Sequence, residues 1–220
     1  MRWGWIVENF PRIAGLAWEH LLLTVPAVLA AFLIALPIGW AAHRYRRLRD
    51  VIVTLTSALY VIPSLALFIL LPLVLGTSML SPVNVVVAMT LYGLALQVRS
   101  STDAFDTVPG DVRQSAVAMG YSTVRRVLTV DFPLAGPVIL SGLRVVTAST
   151  ISLVSVGALI GVHSLGTLFT EGFQRNFPTQ IMAGLIGTVV LAIICDLILV
   201  LSGKVLMPWT RKGTRKQVSA

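Results

Sequence analysis

Five long apolar stretches with very few charges constrain this chain more than any other feature of its sequence. They occupy about residues 20–42, 51–75, 83–98, 137–160 and 180–203. An α-helix rises about 1.5 Å per residue, so about 20 apolar residues are needed to cross the roughly 30 Å hydrocarbon core of a bilayer. The sequence therefore predicts an all-α, polytopic membrane protein with about five transmembrane helices.

The composition excludes an ordinary water-soluble domain. Hydrophobic residues make up 56% of the 220 residues and charged residues only 12%, and the mean hydropathy is +0.87. A soluble domain carries more charge than this on its surface. The net charge of +8 alone would suit a nucleic-acid partner, but the basic residues gather in short segments beside the apolar stretches, where membrane topology accounts for them. We therefore expect no nucleic-acid partner.

The distribution of basic residues predicts the orientation in the membrane. Thirteen of the seventeen Lys and Arg residues lie in segments 43–50, 99–136 and 204–220. Cytoplasmic loops carry such an excess, so we expect a multi-pass protein of the cytoplasmic (inner) membrane, with its N-terminus outside and its basic tail inside. The opposite side carries three arginines, Arg2, Arg12 and Arg175.

The N-terminal segment, residues 1–19, mixes tryptophans and other apolar residues with charges. Such a mixture is typical of a helix that lies in the membrane interface; the alternative is a helical lead-in to the first span. Met1 to Arg12 has no basic region followed at once by an apolar core, so no removable signal peptide is expected.

The second apolar stretch carries Pro63 and Pro72. Each proline removes a backbone donor and can kink the helix. Pro63 is a candidate gating hinge, although transmembrane prolines often only shape a helix. The five spans show no internal repeat and cannot be divided into two inverted halves. Since five helices hardly enclose a solute path, we expect a second copy or a related chain to complete it.

The polar segment 99–136 predicts a compact elbow of two short helices. Pro109 suits a first helical turn, Gly120 a left-handed cap, and Ser122 the start of the next helix, which Pro133 should end. Small side chains on the first short helix leave its backbone approachable by another protein; they are Ser115, Ala116 and Ala118. Two apolar side chains, Val112 and Met119, offer contacts to such a partner. The alternative is a loop helix that rests on the ends of the spans.

Within this elbow, Gln114, Ser115 and Ala116 are followed by Gly120 and then by Phe132 and Pro133. The pattern resembles the cytoplasmic signature loop of ABC importer permeases, in which Glu-Ala-Ala is followed by a Gly six residues after the Glu and by Leu-Pro. The resemblance implies that the elbow is the coupling helix that sits in a cleft of a cytoplasmic ATPase. The residues implied in coupling are Val112, Gln114, Ser115, Ala116, Met119, Gly120 and Pro133. Gln114 replaces the usual Glu, and a neutral amide cannot form a charge-assisted pair with the ATPase.

The likeness covers about residues 51–203 and is closest to permeases for glycine betaine, choline and similar osmoprotectants. The matching residues are Ile62, Pro63, Ser64, Leu65, Ala66, Arg99, Pro137, Gly142 and Arg144, with Gly161 and Gly166 framing a usually Gly-rich run. Four positions depart from that group's pattern: Tyr60, Val61, His163 and Ser164. The resemblance offers Pro63, Gly161, His163 and Gly166 as candidates for translocation or gating.

The resemblance implies the type I ABC importer permease (MetI-like) fold and a set of partners. These are a cytoplasmic ATPase dimer, which holds ATP and Mg, a second permease copy or paralogue, an extracytoplasmic substrate-binding protein and membrane lipid. The sequence has no Gly-rich phosphate loop, His-Glu-x-x-His motif or Cys pair at metal spacing, so we expect no cofactor, metal or catalytic site on this chain. The implied solutes are glycine betaine, choline, carnitine and proline betaine. An importer permease for an amino acid, or an ion-coupled secondary transporter, remains an alternative.

Arg144 and Asp196 are the charges set most deeply within the spans, each about 10 Å from the cytoplasmic end. An unpaired charge at that depth costs about 3 kcal/mol or more, so we predict an ion pair between the fourth and fifth spans. The alternative is that both side chains snorkel to the interface or line water.

Overall fold

The computed structural model describes residues 3–212, and all regular secondary structure within this range is helical. In chain order the α-helices are α1 (Trp3–Glu8), α2 (Phe10–Arg44), α3 (Arg46–Val61), α4 (Ser64–Leu75), α5 (Pro82–Asp106), α6 (Gly110–Ala118), α7 (Thr123–Arg126), α8 (Phe132–Val154), α9 (Gly166–Gln174) and α10 (Pro178–Leu206). A π-helical turn (Val127–Asp131) joins α7 to α8, and 3-10 turns follow α8 (Ser155–Ile160) and α10 (Pro208–Lys212). Arg2 of the predicted outer side, and Arg215 and Lys216 of the predicted tail, lie outside the described residues.

Four helical segments of the described chain are long and apolar enough to cross a membrane. They are α2, α5, the segment Thr123–Ile160 that contains α8, and α10. The helix α2 begins at Phe10, so most of the predicted interfacial segment 1–19 continues the first span without a break. At the junction with α1, the Asn9 amide still donates to the carbonyl of Trp5 at 3.0 Å.

The predicted second span is a broken pair of helices, α3 and α4, which meet at an angle of 101°. From the sequence, either proline could kink this span, and the structure has a full break at one of them. The break lies at Pro63, where Ile62 adopts an extended conformation with ψ 126°, which is the conformation that a proline ring favours at the residue before it. Pro72 lies inside α4 without interrupting it. The hydroxyl of Tyr92 donates to the carbonyl of Ile62, which the break leaves without a helical donor.

The ends of α2 and α5 show how many times the chain crosses. His43, at the C-terminal end of α2, contacts Asp106, at the C-terminal end of α5, with 2.5 Å between Nδ1 and Oδ1. These two apolar helices therefore end on the same side. The α3–α4 pair that connects them must carry the chain back to the other side, which supports five crossings.

The helix α5 lies at the centre of the packing, between α2 and α8. Glycines allow this close approach: a Cβ on Gly39 of α2 would lie 2.6 Å from the Cβ of Ser101, and one on Gly93 of α5 would lie 2.8 Å from that of Ala31. Small residues at helix interfaces are the usual means of packing in membranes, where no hydrophobic effect drives helices together. The three central helices, α2, α5 and α8, therefore pack with their backbones close together.

The elbow has the predicted helix caps, but its second short helix does not end where the sequence predicted. Gly120 has a φ of +80°, and the Ser122 side chain accepts a hydrogen bond from the amide of Arg125 at 3.4 Å, which confirms both expectations. Pro109 is the N-cap of α6 rather than a residue of its first turn. Pro133 does not end the second short helix, because α7 continues through the π-helical turn into α8, and Pro133 lies in the first turn of α8.

Candidate functional site

The elbow, α6 and α7 with the turn between them, is closed by a hydrogen-bonded helix cap. The amide of Gly120 donates to the carbonyl of Val117 at 2.9 Å, and that of Tyr121 to the carbonyl of Ala116 at 3.1 Å. This pair of bonds is the Schellman arrangement, which requires a left-handed residue after the helix. No atom lies within 4 Å of a Cβ built on Gly120, so the backbone conformation, and not lack of space, requires glycine there.

One face of α6 is open to a partner. Gln114 and Ser115 are exposed, and Met119 is 69% exposed. Val117, which the sequence analysis did not single out, is 55% exposed on the same helix. Ala116 is 1% exposed; it packs within the chain, which corrects the expectation that its backbone is approachable. Two other expected coupling residues, Val112 and Pro133, are half-buried.

A buried carboxylate lies behind the elbow. The side chain of Asp131 is 2% exposed and lies between two arginines, with 3.4 Å from its Oδ1 to the Nε of Arg113 and 3.3 Å from its Oδ2 to the Nε of Arg126. The sequence analysis counted both arginines only as markers of topology. The missed signal was an aspartate immediately before the Phe-Pro pair, at a position that folds inward.

The corner between α2 and α3 is joined to the end of α5 by a second set of charges. Arg49 Nη1 lies 2.5 Å from Oδ2 of Asp106, and Arg49 Nη2 lies 3.2 Å from Oδ1 of Asp103. His43 contacts the same Asp106. Two of the predicted cytoplasmic segments, 43–50 and 99–136, therefore meet on one side of the protein, next to the elbow.

The structure brings Arg144 and Asp196 together. The guanidinium of Arg144 donates from Nε to Oδ1 of Asp196 at 2.5 Å and from Nη2 to Oδ2 at 2.8 Å. Both side chains are about two-fifths exposed, 42% and 40%, so the pair lies at the outer surface of this chain, between α8 and α10. The bidentate geometry satisfies two donors of the guanidinium at once.

The gating candidates do not form one group. Gly161 ends the 3-10 turn after α8 with a φ of +85°, and it lines, with His163, Glu19 and Leu80, a cavity of about 590 Å³. Gly166 begins α9 and is buried, and a Cβ there would collide with the backbone of Ser155. Pro63 lies at the break between α3 and α4 and is not among the residues that line this cavity.

Three elements on the α9 side are tied to one carboxylate that the sequence analysis did not use. Arg12 Nη2 of α2 donates to Oε1 of Glu171 at 2.5 Å, and Gln180 Nε2 of α10 donates to Oε2 at 2.7 Å. The hydrogen bond from Arg12 lowers the pKa of the Glu171 carboxyl below its usual value, and the hydrogen bond from Gln180 lowers it by a smaller amount. Among residues 3–212, no cluster of three or more His, Cys, Asp or Glu is placed to hold a metal ion.

Comparisons with known proteins give a consistent picture. Residues 27–215 match the family described as binding-protein-dependent transport system inner membrane component. The glycine betaine/carnitine/choline transport system permease protein OpuCD of Bacillus subtilis is 30% identical over 95% of this chain and 87% of its own length. The osmoprotectant import permease protein OsmW of Salmonella typhimurium is 31% identical over 96% of this chain and 98% of its own length.

Among solved structures, a chain of the inward-facing MetNI methionine ABC transporter is similar with a TM-score of 0.73. The sequences are 19% identical, and the match covers 87% of this chain and 92% of the other. At that identity the likeness concerns the fold alone. It confirms the predicted fold class, an all-helical membrane protein like the MetI permease.

Proposed function

The chain belongs to the inner-membrane components of binding-protein-dependent ABC importers, and we propose that the solutes it carries are quaternary ammonium osmoprotectants. Glycine betaine, choline, carnitine and proline betaine are the members of this class that we propose. The chain is the permease component of its transporter and is not itself the ATPase. The observation that supports the solute class is the near full-length similarity, at about 30% identity, to one permease named for glycine betaine, carnitine and choline and to another named for osmoprotectants.

The mechanism that we propose is mechanical. The exposed side chains of Gln114 and Val117 in α6, with Met119 just after its end, enter a cleft of the ATPase. When ATP binding closes the ATPase dimer, the two elbows move together and the permease helices rock from inward-facing to outward-facing, so that solute delivered by the external binding protein enters. Because residue 114 is Gln, this contact uses a neutral hydrogen bond where the family usually offers a carboxylate.

We further propose that the N-terminus is outside and the C-terminus cytoplasmic, and that a second permease chain completes the path. The meeting of segments 43–50 and 99–136 through His43, Arg49 and Asp106 supports this orientation, because two basic segments then share the cytoplasmic side. The half-exposed Arg144–Asp196 pair lies on an outer surface that a second permease could cover.

The experiment that tests the solute class is uptake by the complete transporter, reconstituted in vesicles with its ATPase and binding protein. We expect ATP-dependent uptake of labelled glycine betaine, competed by choline, carnitine and proline betaine. Vesicles loaded with a non-hydrolysable ATP analogue are the matched control. If amino acids such as methionine compete and quaternary ammonium compounds do not, the proposed solute class is wrong and the amino-acid alternative replaces it.

A further inference from the structure

The coupling elbow is held from behind by one buried carboxylate, Asp131. Its side chain is 2% exposed, and the nitrogen atoms nearest to it belong to Arg113 and Arg126, which are 20% and 18% exposed. A carboxylate this far from water is stable as an anion only when cations and hydrogen-bond donors surround it. Arg126 donates a hydrogen bond from Nε to Oδ2 of Asp131, whereas Arg113 faces Oδ1 as a charge at 3.4 Å without forming a hydrogen bond. Asp131 in turn fixes where the two arginines lie.

The position of Asp131 depends on the π-helical turn. In an α-helix, residues three or four apart share a face, whereas residues five apart do not. Arg126 and Asp131 are five apart and still contact each other, because residues 127–131 form a π-helical turn in which the amide of Phe132 bonds to the carbonyl of Val127. Single π-helical turns inside longer helices occur frequently at functional sites. The π-helical turn therefore places Asp131, just before α8, against Arg126 of the elbow.

Arg113 extends the same contact to a second span. Its Nη2 donates to the carbonyl of Phe105 near the end of α5, while its Nε faces Asp131. Phe105 is 2% exposed and packs in one buried cluster with Ala135 and Ile139 of α8. One side chain of α6 therefore contacts the end of one span and the base of the next.

From this geometry we propose that Asp131 is a positioning residue, which fixes the coupling helix α6 to the bases of α5 and α8 so that its movement is transmitted to both spans. The proposal rests on the coupling role of the elbow given above. Asp131 is 2% exposed and acts through the arginines beside it. Without its charge, α6 stays joined to α8 through α7 and the left-handed turn at Gly120, and movement of the ATPase bends that turn in place of moving the spans.

The test uses the complete transporter in vesicles and measures two quantities. One is the amount of glycine betaine imported per ATP hydrolysed, and the other is the rate at which trypsin cleaves the elbow after Arg125, which is exposed. For Asp131→Asn we expect the ATPase to copurify as with the wild type, the import ratio to fall about tenfold, and cleavage to become several-fold faster because the elbow opens more often.

Two further variants and a control complete the design. Arg126→Gln leaves Arg113 beside the carboxylate, so we expect a smaller fall in the import ratio and a smaller rise in the cleavage rate than for Asp131→Asn. This variant also tests the proposal if the Asp131→Asn complex does not assemble. The double variant Arg126→Gln/Asp131→Asn should lose no more than Asp131→Asn alone, because both changes remove the same contact. Asp50→Asn makes the same chemical change at an exposed site of α3 and should leave both quantities unchanged.

The proposal is overturned if Asp131→Asn and Arg126→Gln both keep the wild-type import ratio and cleavage rate. It is equally overturned if the import ratio stays normal and only the amount of assembled complex falls, because Asp131 would then serve stability alone. A wild-type complex that hydrolyses ATP but imports no glycine betaine contradicts the proposed solute class instead. In that case the cleavage rates still decide whether Asp131 positions the elbow.

Discussion

The left-handed turn at Gly120 allows a quantitative prediction. A non-glycine residue in this conformation costs about 1–2 kcal/mol, because its Cβ approaches the following carbonyl oxygen. Nothing within 4 Å would obstruct the methyl group of Gly120→Ala, so this backbone cost is the whole expected effect. A cost of that size opens the turn about 5 to 30 times more often.

Gly110 supplies a matched control for this substitution. It is also a glycine of the elbow with nothing within 4 Å of a built Cβ, but its φ is not positive, and it begins α6. Alanine is the better helix former by up to about 1 kcal/mol. We therefore expect Gly110→Ala to leave the elbow unchanged or to stabilise it.

Hydrogen exchange measured by mass spectrometry on the complete transporter reports the opening directly. The informative amides are those of residue 120 and Tyr121, which close the cap on Val117 and Ala116. Gly120→Ala should speed their exchange about 5- to 30-fold relative to the wild type. Equal exchange rates in Gly120→Ala and Gly110→Ala would refute the reasoning, since the φ angle is the difference that it depends on.

Three other predictions concern the spans and the outer side. Arg144→Ala and Asp196→Ala should be non-additive in assembly and uptake, because each removes the same bidentate contact; additive losses would show that the pair does not act as a unit. Pro63→Ala should lower uptake by the complete transporter if the 101° break serves as a hinge, and normal uptake would remove that role. Because the Arg12 hydrogen bond lowers the pKa of Glu171, its stabilisation is present at neutral pH and is lost as the pH falls through the lowered value. Glu171→Gln should abolish this acid-side loss of melting temperature.

The sequence predicted features that depend on local chemistry. The caps at Gly120 and Ser122 follow from backbone preferences of single residues, and they are present in the structure. The apolar stretches predicted the helices for a similar reason, since each span needs about 20 apolar residues to cross the membrane. Both features depend on residues within one short segment, so the sequence pattern of that segment is sufficient to predict them.

Features decided by contacts between distant segments were missed. Pro63 and Pro72 obey the same local rule, yet only Pro63 separates two helices. The difference at Pro63 includes the hydroxyl of Tyr92, which satisfies the carbonyl that the break leaves free. Asp131 was missed for a related reason. Its partner Arg113 is 18 residues away, and its spacing from Arg126 suits only a π-helical turn.

The charged contacts on the elbow side form a connected series. From Asp131 the series passes through Arg113 to the carbonyl of Phe105 in α5. The next residue, Asp106, contacts His43 and Arg49 at the corner of α2 and α3. Coupling between distant sites requires packed or hydrogen-bonded elements that move as units.

The helices α2, α5 and α8 meet this requirement, because glycines bring their backbones together where side chains would otherwise separate them. The helix α4 lies beyond the break at Pro63 and packs against α2 and α5 through Phe68 and Leu71, and α9 is joined to α10 and α2 through Glu171. A push on the elbow therefore reaches the three central helices together. The break at Pro63 is the point at which the angle between α3 and α4 can change.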